Sequence, residues 1–377
     1  MKVHILDKKQ LLGPMAEYLF LFTEGDNIDT SKKLVIFGAG AGGYELKHPL
    51  IHHTKKLGGK GVYAYIDNDE AKIGRQLSGL EIMPRQIIKE NPDDYYIIIA
   101  ARLNNMHWIK KQLLNYNVNA ANIAFYFPII TMDFELFGNK DFVAAVTDAI
   151  SDAFKPTPLI DIKLPLLNDS ISTIHYNKSL CEWILIDFSN RKNLRMLDIG
   201  PGKGIQSIIF KRLLDVNITW IDVLEEAEYF NDKQHVNENL RYLQENYNFH
   251  IVKGNIETIS YDFEVGFDII LFSFVLEHLH YHPVETMKKI LSWLKPSGKL
   301  YLTVPDNKRR KGERFYDHWR EMPIYDASAP LKITDYGHQQ EYHYEEAIEL
   351  FDELQLEVER YELDGPTMAF TLTRKPR

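Results

Sequence analysis

The sequence predicts an α/β protein of two successive domains, each a largely parallel sheet wrapped by helices, and three observations carry that reading. Short apolar runs alternate with helical patterns in two series, Leu34 to Phe127 and Arg195 to Val304, as strands buried on both faces and their crossover helices do. Each series opens on a strand that runs into a glycine-rich turn and then a helix, at Gly38–Gly43 and at Gly200–Gly204. The second series closes on two alternating runs around Asp364-Gly365-Pro366, which reads as an antiparallel hairpin.

The composition fits two or three domains with full cores: 377 residues, 45% hydrophobic and 26% charged. A formal net charge of −9 argues against nucleic acid or an anionic membrane as the general partner. A single cysteine, Cys181, excludes an internal disulfide and a cysteine-built metal site, so a reducing cytoplasm is expected. The first ten residues contain no apolar signal region, and runs such as Tyr95–Ala101 and Ile269–Leu276 fall well short of the ~20 residues that span a bilayer.

The elements follow in order. Residues 1–30 show a short helical pattern around Gln10–Leu12 and Met15–Phe22. Residues 31–127 form the first domain, with about four strands: Leu34–Phe37, Gly61–Ile66, Tyr95–Ala101 and Ile123–Phe127. Residues 128–192 read as a partly helical connector interrupted by Pro156, Pro158 and Pro165, with helices near Asp141–Phe154 and Ser179–Phe188. Residues 193–377 form the second domain, with strands Arg195–Ile199, Ile218–Asp222, His250–Val252, Asp268–Ser273 and Lys299–Val304, then the helix Tyr344–Leu354 and the hairpin Glu357–Leu363/Thr367–Thr373.

The most informative stretch is Met196-Leu197-Asp198-Ile199-Gly200-Pro201-Gly202-Lys203-Gly204. A buried strand ends beside an acid and turns through glycines into a helix start, so backbone can pass close to a ligand and unpaired N–H groups face it. The turn lies at the carboxyl end of the strand, where open α/β sheets bind ligands. Asp222 ends the next strand, where a carboxylate can accept two ribose hydroxyls. Gly254-Asn255-Ile256 can frame an adenine, and Phe267–Phe274 leads into Val275-Leu276-Glu277-His278.

At these residues, from about Asn193 to Arg377, the chain resembles the class I S-adenosylmethionine-dependent methyltransferases, especially the small-molecule branch with a Leu-Glu-His segment after the fourth strand. The resemblance implies that Asp198, Gly200, Gly202 and Gly204 cradle the methionine part of S-adenosylmethionine. It implies that Asp222 and the adjacent Val223 hold the ribose, Asn255 and Ile256 the adenine, and Ser273 and Phe274 the region near the sulfonium. Relatives often carry Asp where Asn255 stands, and Pro201 within the glycine turn is a common variant.

The acceptor pocket is expected from the segments after the fourth and fifth strands. His278 and His338 are the candidate catalytic groups, and Arg309, Arg310, Arg314 and His343 the candidate acceptor contacts, with His343 a second candidate base. Bland readings stand beside these: Lys308–Lys311 as a solvated loop, His338 as a surface histidine, and Asp268 as a structural acid at the far end of its strand. His280 and His282 can be read as a metal cluster, but no nearby carboxylate pattern completes it, so they read as a solvated helix start and no metal site is expected.

In the first series, Gly38-x-Gly40-x-x-Gly43 follows a strand and precedes a helix, and Asp67 ends the next strand. That is a dinucleotide fingerprint in context, and these four residues are candidates for a second nucleotide site. Pro49 is expected to shorten or kink the helix. With Asp67–Gly74 and Gly79–Ile82, the span Lys32–Phe127 resembles the Rossmann-like N-terminal domains of bacterial sugar acyltransferases and polysaccharide-biosynthesis proteins. An empty or purely structural pocket is the competing reading.

The resulting expectation is two tandem Rossmann-like domains, the second a class I methyltransferase sheet with a C-terminal antiparallel hairpin. The expected reaction is O-methylation of a sugar, nucleotide sugar or related polysaccharide precursor, with S-adenosylmethionine as cofactor. The expected partner is a small-molecule acceptor, without nucleic acid or a membrane span, and a homo-oligomer is left open. Two alternatives are carried forward: a nicotinamide-dependent sugar oxidoreductase working through the first domain, and a non-catalytic nucleotide-binding scaffold.

Overall fold

A computed structural model describes residues 1–376 except 8–17, 26, 130–138, 156, 163–166, 168–171, 224–232, 311–314 and 329–336. The chain divides into two compact units, Met1–Ser172 and Thr173–Arg377.

The first unit is built on a mixed sheet in the order β1-β2-β8-β7-β3-β4-β6-β5. The strands are β1 (Lys2–Asp7), β2 (Tyr18–Thr23), β3 (Lys33–Phe37), β4 (Val62–Asp67), β5 (Gln76–Leu77), β6 (Leu80–Pro84), β7 (Tyr95–Ile99) and β8 (Ile123–Ile129). Strands β8, β7, β3, β4 and β6 run parallel, joined in part by helices α1 (Ala41–Lys56) and α2 (Leu103–Asn115). The central strands are mainly apolar because both faces are covered: Ile97, Ile98 and Ile99 of β7 have no exposed surface. Helix α1 continues through Pro49 and is not cut short there.

The expected helical segment at the N-terminus is corrected. Tyr18–Phe22 is strand, antiparallel to β8 on one side and to β1 on the other, with Phe22 opposite Phe125 and Phe20 opposite Phe127. A short unbroken apolar run fits a doubly buried strand as well as a helix, and here the β8 ladder decides. Phe20, Leu21 and Phe22 are fully enclosed. Residues 8–17, including Gln10–Leu12, lie outside the described residues. The sheet therefore has eight strands where about four were expected. Helix α3 (Lys140–Ala153), from the segment read as a connector, packs against β1 within this unit.

The second unit starts with helix α4 (Lys178–Phe188) and carries a sheet in the order β11-β10-β9-β12-β13-β15-β14. Its elements are β9 (Leu194–Ile199), α5 (Ile205–Leu213), β10 (Val216–Asp222), α6 (Lys233–Tyr247), β11 (His250–Lys253), β12 (Phe267–Ser273), α7 (Pro283–Ser292), β13 (Leu294–Pro305), α8 (Tyr344–Glu353), β14 (Leu356–Asp364) and β15 (Thr367–Arg374). The first five strands are parallel, and β15 lies antiparallel between β13 and β14.

From β9 the chain winds one way through β10 to β11, then the other way through β12 to β13. That places a topological switch point between β9 and β12, where a crevice opens at the carboxyl ends of the strands. Helix α4 is fixed to the sheet by Asp187, which accepts from Tyr301 at 2.6 Å, Arg360 at 2.7 Å and Lys299 at 3.0 Å.

Candidate active site

The carboxyl end of β9 and the start of α5 form the first wall of the crevice. Gly200, Gly202 and Gly204 all hold positive φ, at 66°, 55° and 71°. Gly204 has a second constraint, because a Cβ there would run into the indole of Trp220, while at Gly202 none of the described residues approaches where its Cβ would stand. The turn is closed internally by the Gly204 amide donating to the Pro201 carbonyl at 2.8 Å, and it is tied to β10 by the Gly200 amide donating to Ile221 at 2.9 Å.

Asp198 is buried beneath the turn. Ser207 Oγ donates to its Oδ2 at 2.5 Å, and Trp220 Nε1 donates to Ser207 at 2.8 Å. Burial pushes the Asp198 carboxyl up to about 7, with the Ser207 hydrogen bond opposing and the Asp222 charge adding to the rise. In the first turn of α5, Gln206 Nε2 is buried with no hydrogen-bond partner among the described residues. A buried amide donor left unmade is costly. An open glycine turn, a carboxylate that would gain from a nearby cation, and an unmade donor suit a zwitterionic ligand such as the methionine end of S-adenosylmethionine. Neither Gln206 nor Ser207 stood out in the sequence, since nothing in a residue's type reveals how deeply it is enclosed.

Asp222 and Val223 are half-buried at the end of β10, and the Gly254 amide donates to the Asp222 carbonyl at 2.9 Å. Ile256 is buried. The Asn255 carboxamide oxygen accepts from the Glu257 amide at 2.7 Å, so part of its capacity shapes its own turn. Ser273 is likewise engaged, sharing a hydrogen-bonded triangle with Thr303 at 2.8 Å and the fully enclosed Asn177 at 3.0 Å. Phe274 takes φ 55°, a left-handed conformation strained for an aromatic residue, where β12 leaves the sheet.

The other wall joins segments far apart in sequence. After Phe274 the chain makes the 3₁₀ turn Leu276–His278, and Val275 packs 2.6 Å from where a Gly200 Cβ would stand. The Gln339 and Gln340 amides both donate to the Glu277 carbonyl, at 2.7 and 3.2 Å. His278 and His338 thereby meet edge to face with ring centroids 4.7 Å apart, and His338 Nδ1 lies 3.1 Å from Glu341 Oε1. Glu277 and Glu341 are buried beneath the two half-buried rings. The reading of His338 as a surface loop histidine is corrected, because the backbone bonds to Glu277 draw its segment inward.

The remaining acceptor candidates fare differently. His343 is the N-cap of α8, and its amide donates to Glu346 at 2.9 Å, a helix-starting role. Lys308 pairs with Glu345 at 3.0 Å. The side chains of Arg309 and Arg310, and all of Arg314, lie outside the described residues. Asp268 accepts from the Arg195 amide and Lys295 at the amino end of the sheet, the structural role expected. His280 and His282 do not form a solvated helix start: His280 is buried with Nδ1 3.5 Å from Glu257, and His282 meets the Trp319 ring at 5.1 Å.

In the first unit, Gly38, Gly40 and Gly43 form the turn between β3 and α1, and Asp67 closes β4. Asp67 holds its own unit together: Oδ2 accepts from the Ala39 amide at 2.9 Å and Lys72 at 3.0 Å, and Oδ1 from the Asp69 amide at 2.9 Å. A Cβ at Gly43 would strike the Gly38 carbonyl, so that glycine serves helix-to-strand packing. This geometry favours the structural reading of the turn over a ribose-binding carboxylate.

Against known proteins, a family model described as a methyltransferase domain matches residues 173–361, half of the chain. A second, described as C2185-like, N-terminal, matches residues 30–124. The resemblance of this span to sugar acyltransferase N-terminal domains, expected from its sequence, is therefore not supported. No curated protein sequence matches the chain. Among solved structures, a SAM-dependent methyltransferase from Aquifex aeolicus is 15% identical, covering 60% of this chain and 96% of its own, with a TM-score of 0.37. The CcbJ methyltransferase from Streptomyces caelestis is 11% identical, covering 54% and 90%, with a TM-score of 0.38. The N-terminal domain of EvdMO1 with SAH bound is 12% identical, covering 53% and 80%, with a TM-score of 0.35. The match across Thr173–Tyr361 takes in the glycine turn, Asp222 and the His278 turn alike, and the chain belongs to the methyltransferase-domain family, as an enzyme that takes its methyl group from S-adenosylmethionine.

Proposed function

We propose that this methyltransferase O-methylates a small hydroxylated acceptor, a sugar or nucleotide sugar, in the crevice between β9 and β12. The supporting observation is the contact between the two walls: Val275 packs on Gly200 and leads directly into the turn that carries His278. In this reading Asp198, Gly200, Gly202, Gly204 and Gln206 receive the methionine end of the donor. Asp222 and Val223 take the ribose, Asn255 and Ile256 the adenine, and Ser273 and Phe274 border the sulfonium.

The donor supplies an electrophilic methyl carbon, so a bond forms to the acceptor oxygen as the carbon–sulfur bond breaks and its electron pair stays with sulfur. The chain's contribution is alignment, which can supply on the order of 7–11 kcal/mol, and activation of the hydroxyl. His278 and His338 are the groups that act on that hydroxyl, with Glu341 orienting the His338 ring. Arg309, Arg310 and Arg314 are proposed to meet phosphate or carboxylate groups of the acceptor. The sugar class is proposed from the sequence pattern of residues 32–127 alone, and the hydroxyl target from the histidine pair beside the crevice.

Calorimetric titration with S-adenosylhomocysteine tests the donor site: 1:1 binding is expected and should be lost in Asp222→Ala. Incubation with S-adenosylmethionine and a panel of UDP- and dTDP-sugars, read by mass spectrometry for one added methyl group, tests the acceptor. Methylation confined to a nitrogen or carbon acceptor would reject the hydroxyl assignment.

A further inference from the structure

We propose that Glu277, His278 and His338 bind one divalent transition-metal cation, and that this cation is how the histidine pair acts on the acceptor; the inference deepens the O-methylation reading and rests on it. One potential ligand atom from each of the three side chains lies within 4.8 Å of the others. Ligands about 2.1 Å from a tetrahedral ion stand about 3.4 Å apart, so shifts of at most roughly 0.7 Å in each side chain close the set.

Four features mark a built site. Glu277 has no exposed surface, so its carboxylate lies within the fold beside the two rings and not in solvent. His338 points Nδ1 at the buried Glu341 carboxylate, 3.1 Å away, which leaves the opposite ring nitrogen as ligand and reproduces the carboxylate–histidine–metal relation of metalloproteins. The two backbone bonds onto the Glu277 carbonyl hold the His338 loop against the His278 turn. Gln340, between His338 and Glu341 in sequence, is fully enclosed, and neither atom of its amide has a hydrogen-bond partner among the described residues. A water or acceptor oxygen would satisfy that amide.

The donor set selects the ion. Two imidazoles and one carboxylate favour manganese, iron, cobalt or zinc over calcium and magnesium, which take oxygen ligands. Three protein ligands leave coordination positions open, and an acceptor hydroxyl bound in one of them becomes more acidic and releases its proton to water. The resulting alkoxide is the nucleophile for the methyl carbon, so no protein base is required.

The test is calorimetric titration of the tag-free, chelator-stripped full chain with Mn²⁺ and Co²⁺, with the Co²⁺ complex also followed by visible absorption. One site with micromolar or tighter affinity and a d–d spectrum of nitrogen and oxygen ligation is expected. His278→Ala and His338→Ala should each weaken binding at least a hundredfold, and Glu341→Gln by about 10–100-fold. The two histidine variants replace half-buried side chains, and an unchanged S-adenosylhomocysteine affinity in each will show that the fold is intact. Absence of 1:1 binding by the wild type, or binding that survives both histidine changes, overturns the metal site. If the wild type binds S-adenosylhomocysteine and loses activity in His278→Ala but takes up no metal, the inference fails while the O-methylation reading stands. If S-adenosylhomocysteine is not bound, that reading fails first.

Discussion

The Ser207 hydroxyl donates to the Asp198 carboxylate across 2.5 Å and accepts in turn from the Trp220 indole at 2.8 Å. Asp198 is thus held where water cannot solvate its charge, with its carboxyl pushed up to about 7 by burial. Because the folded-state value lies above the ordinary one, stability from this group is complete in acid and declines as pH rises toward 7. A cationic donor end would favour the ionised form. Donor affinity should therefore rise with pH between 6 and 8, by up to tenfold per unit below the transition, with proton release on binding. Calorimetry in buffers of different ionisation enthalpy measures both, and Asp198→Asn should weaken binding and flatten the profile.

Gly204 and Gly202 should respond differently to the same substitution. Gly204→Ala must place a methyl group into the Trp220 ring at φ 71°. Left-handed strain plus overpacking is expected to cost roughly 2–5 kcal/mol. Gly202→Ala meets only the left-handed cost, about 1–2 kcal/mol, because none of the described residues stands near its Cβ position. Thermal melts should show a large loss for the first and a small one for the second, while both lose S-adenosylhomocysteine binding. Undiminished binding in Gly202→Ala would mean that the open space is not where the donor passes.

Asp187 carries the attachment of α4 to β13 and β14. Burial alone would raise its carboxyl, but the bonds from Tyr301, Arg360 and Lys299 outweigh that and hold it below the ordinary range. Its stabilisation is present above about pH 4 and lost as pH falls through the depressed value. Asp187→Asn leaves two cations facing a neutral group and is expected to cost about 3 kcal/mol. The difference in urea midpoint between wild type and variant should be full at pH 7 and shrink progressively as pH falls below about 4.

Cys181 offers an unfolding probe. It is fully buried in α4, its thiol pushed up to about 12 by burial and by Asp364 and Glu182. The thiolate is the reactive form, so a maleimide at pH 8 should leave the native protein unlabelled and add one equivalent in denaturant. Native labelling on the timescale of minutes would show that α4 opens readily.

Much of the second unit can be read from the chain because its parallel strands are mainly apolar runs ending in Gly, Asp or Ser at the crevice. Met196-Leu197-Asp198-Ile199-Gly200 is one of them, broken only by the buried Asp198, and each strand of this sheet lies where the pattern puts it. β2 was misread because Tyr18–Phe22 carries no periodicity, and β5 is too short to show any. The acceptor wall was only half visible. His278 and His338 stand out as residue types, but Glu277 and Glu341 gain their meaning from backbone bonds between loops distant in sequence. Adjacent Glu277-His278 and the spacing His338-x-x-Glu341 are the signals in the sequence, while the nearby His280 and His282 are turned by the fold toward Glu257 and Trp319.

The placement of β15 between β13 and β14 has a consequence for assembly of the sheet. β14 precedes β15 in the chain yet reaches the sheet only through it, so while the polypeptide emerges from the ribosome β14 must wait without a partner. Until residues 367–374 arrive, β13 offers a bare rim to any passing extended segment. The nascent enzyme is thus most exposed to mispairing in the interval before β15 emerges.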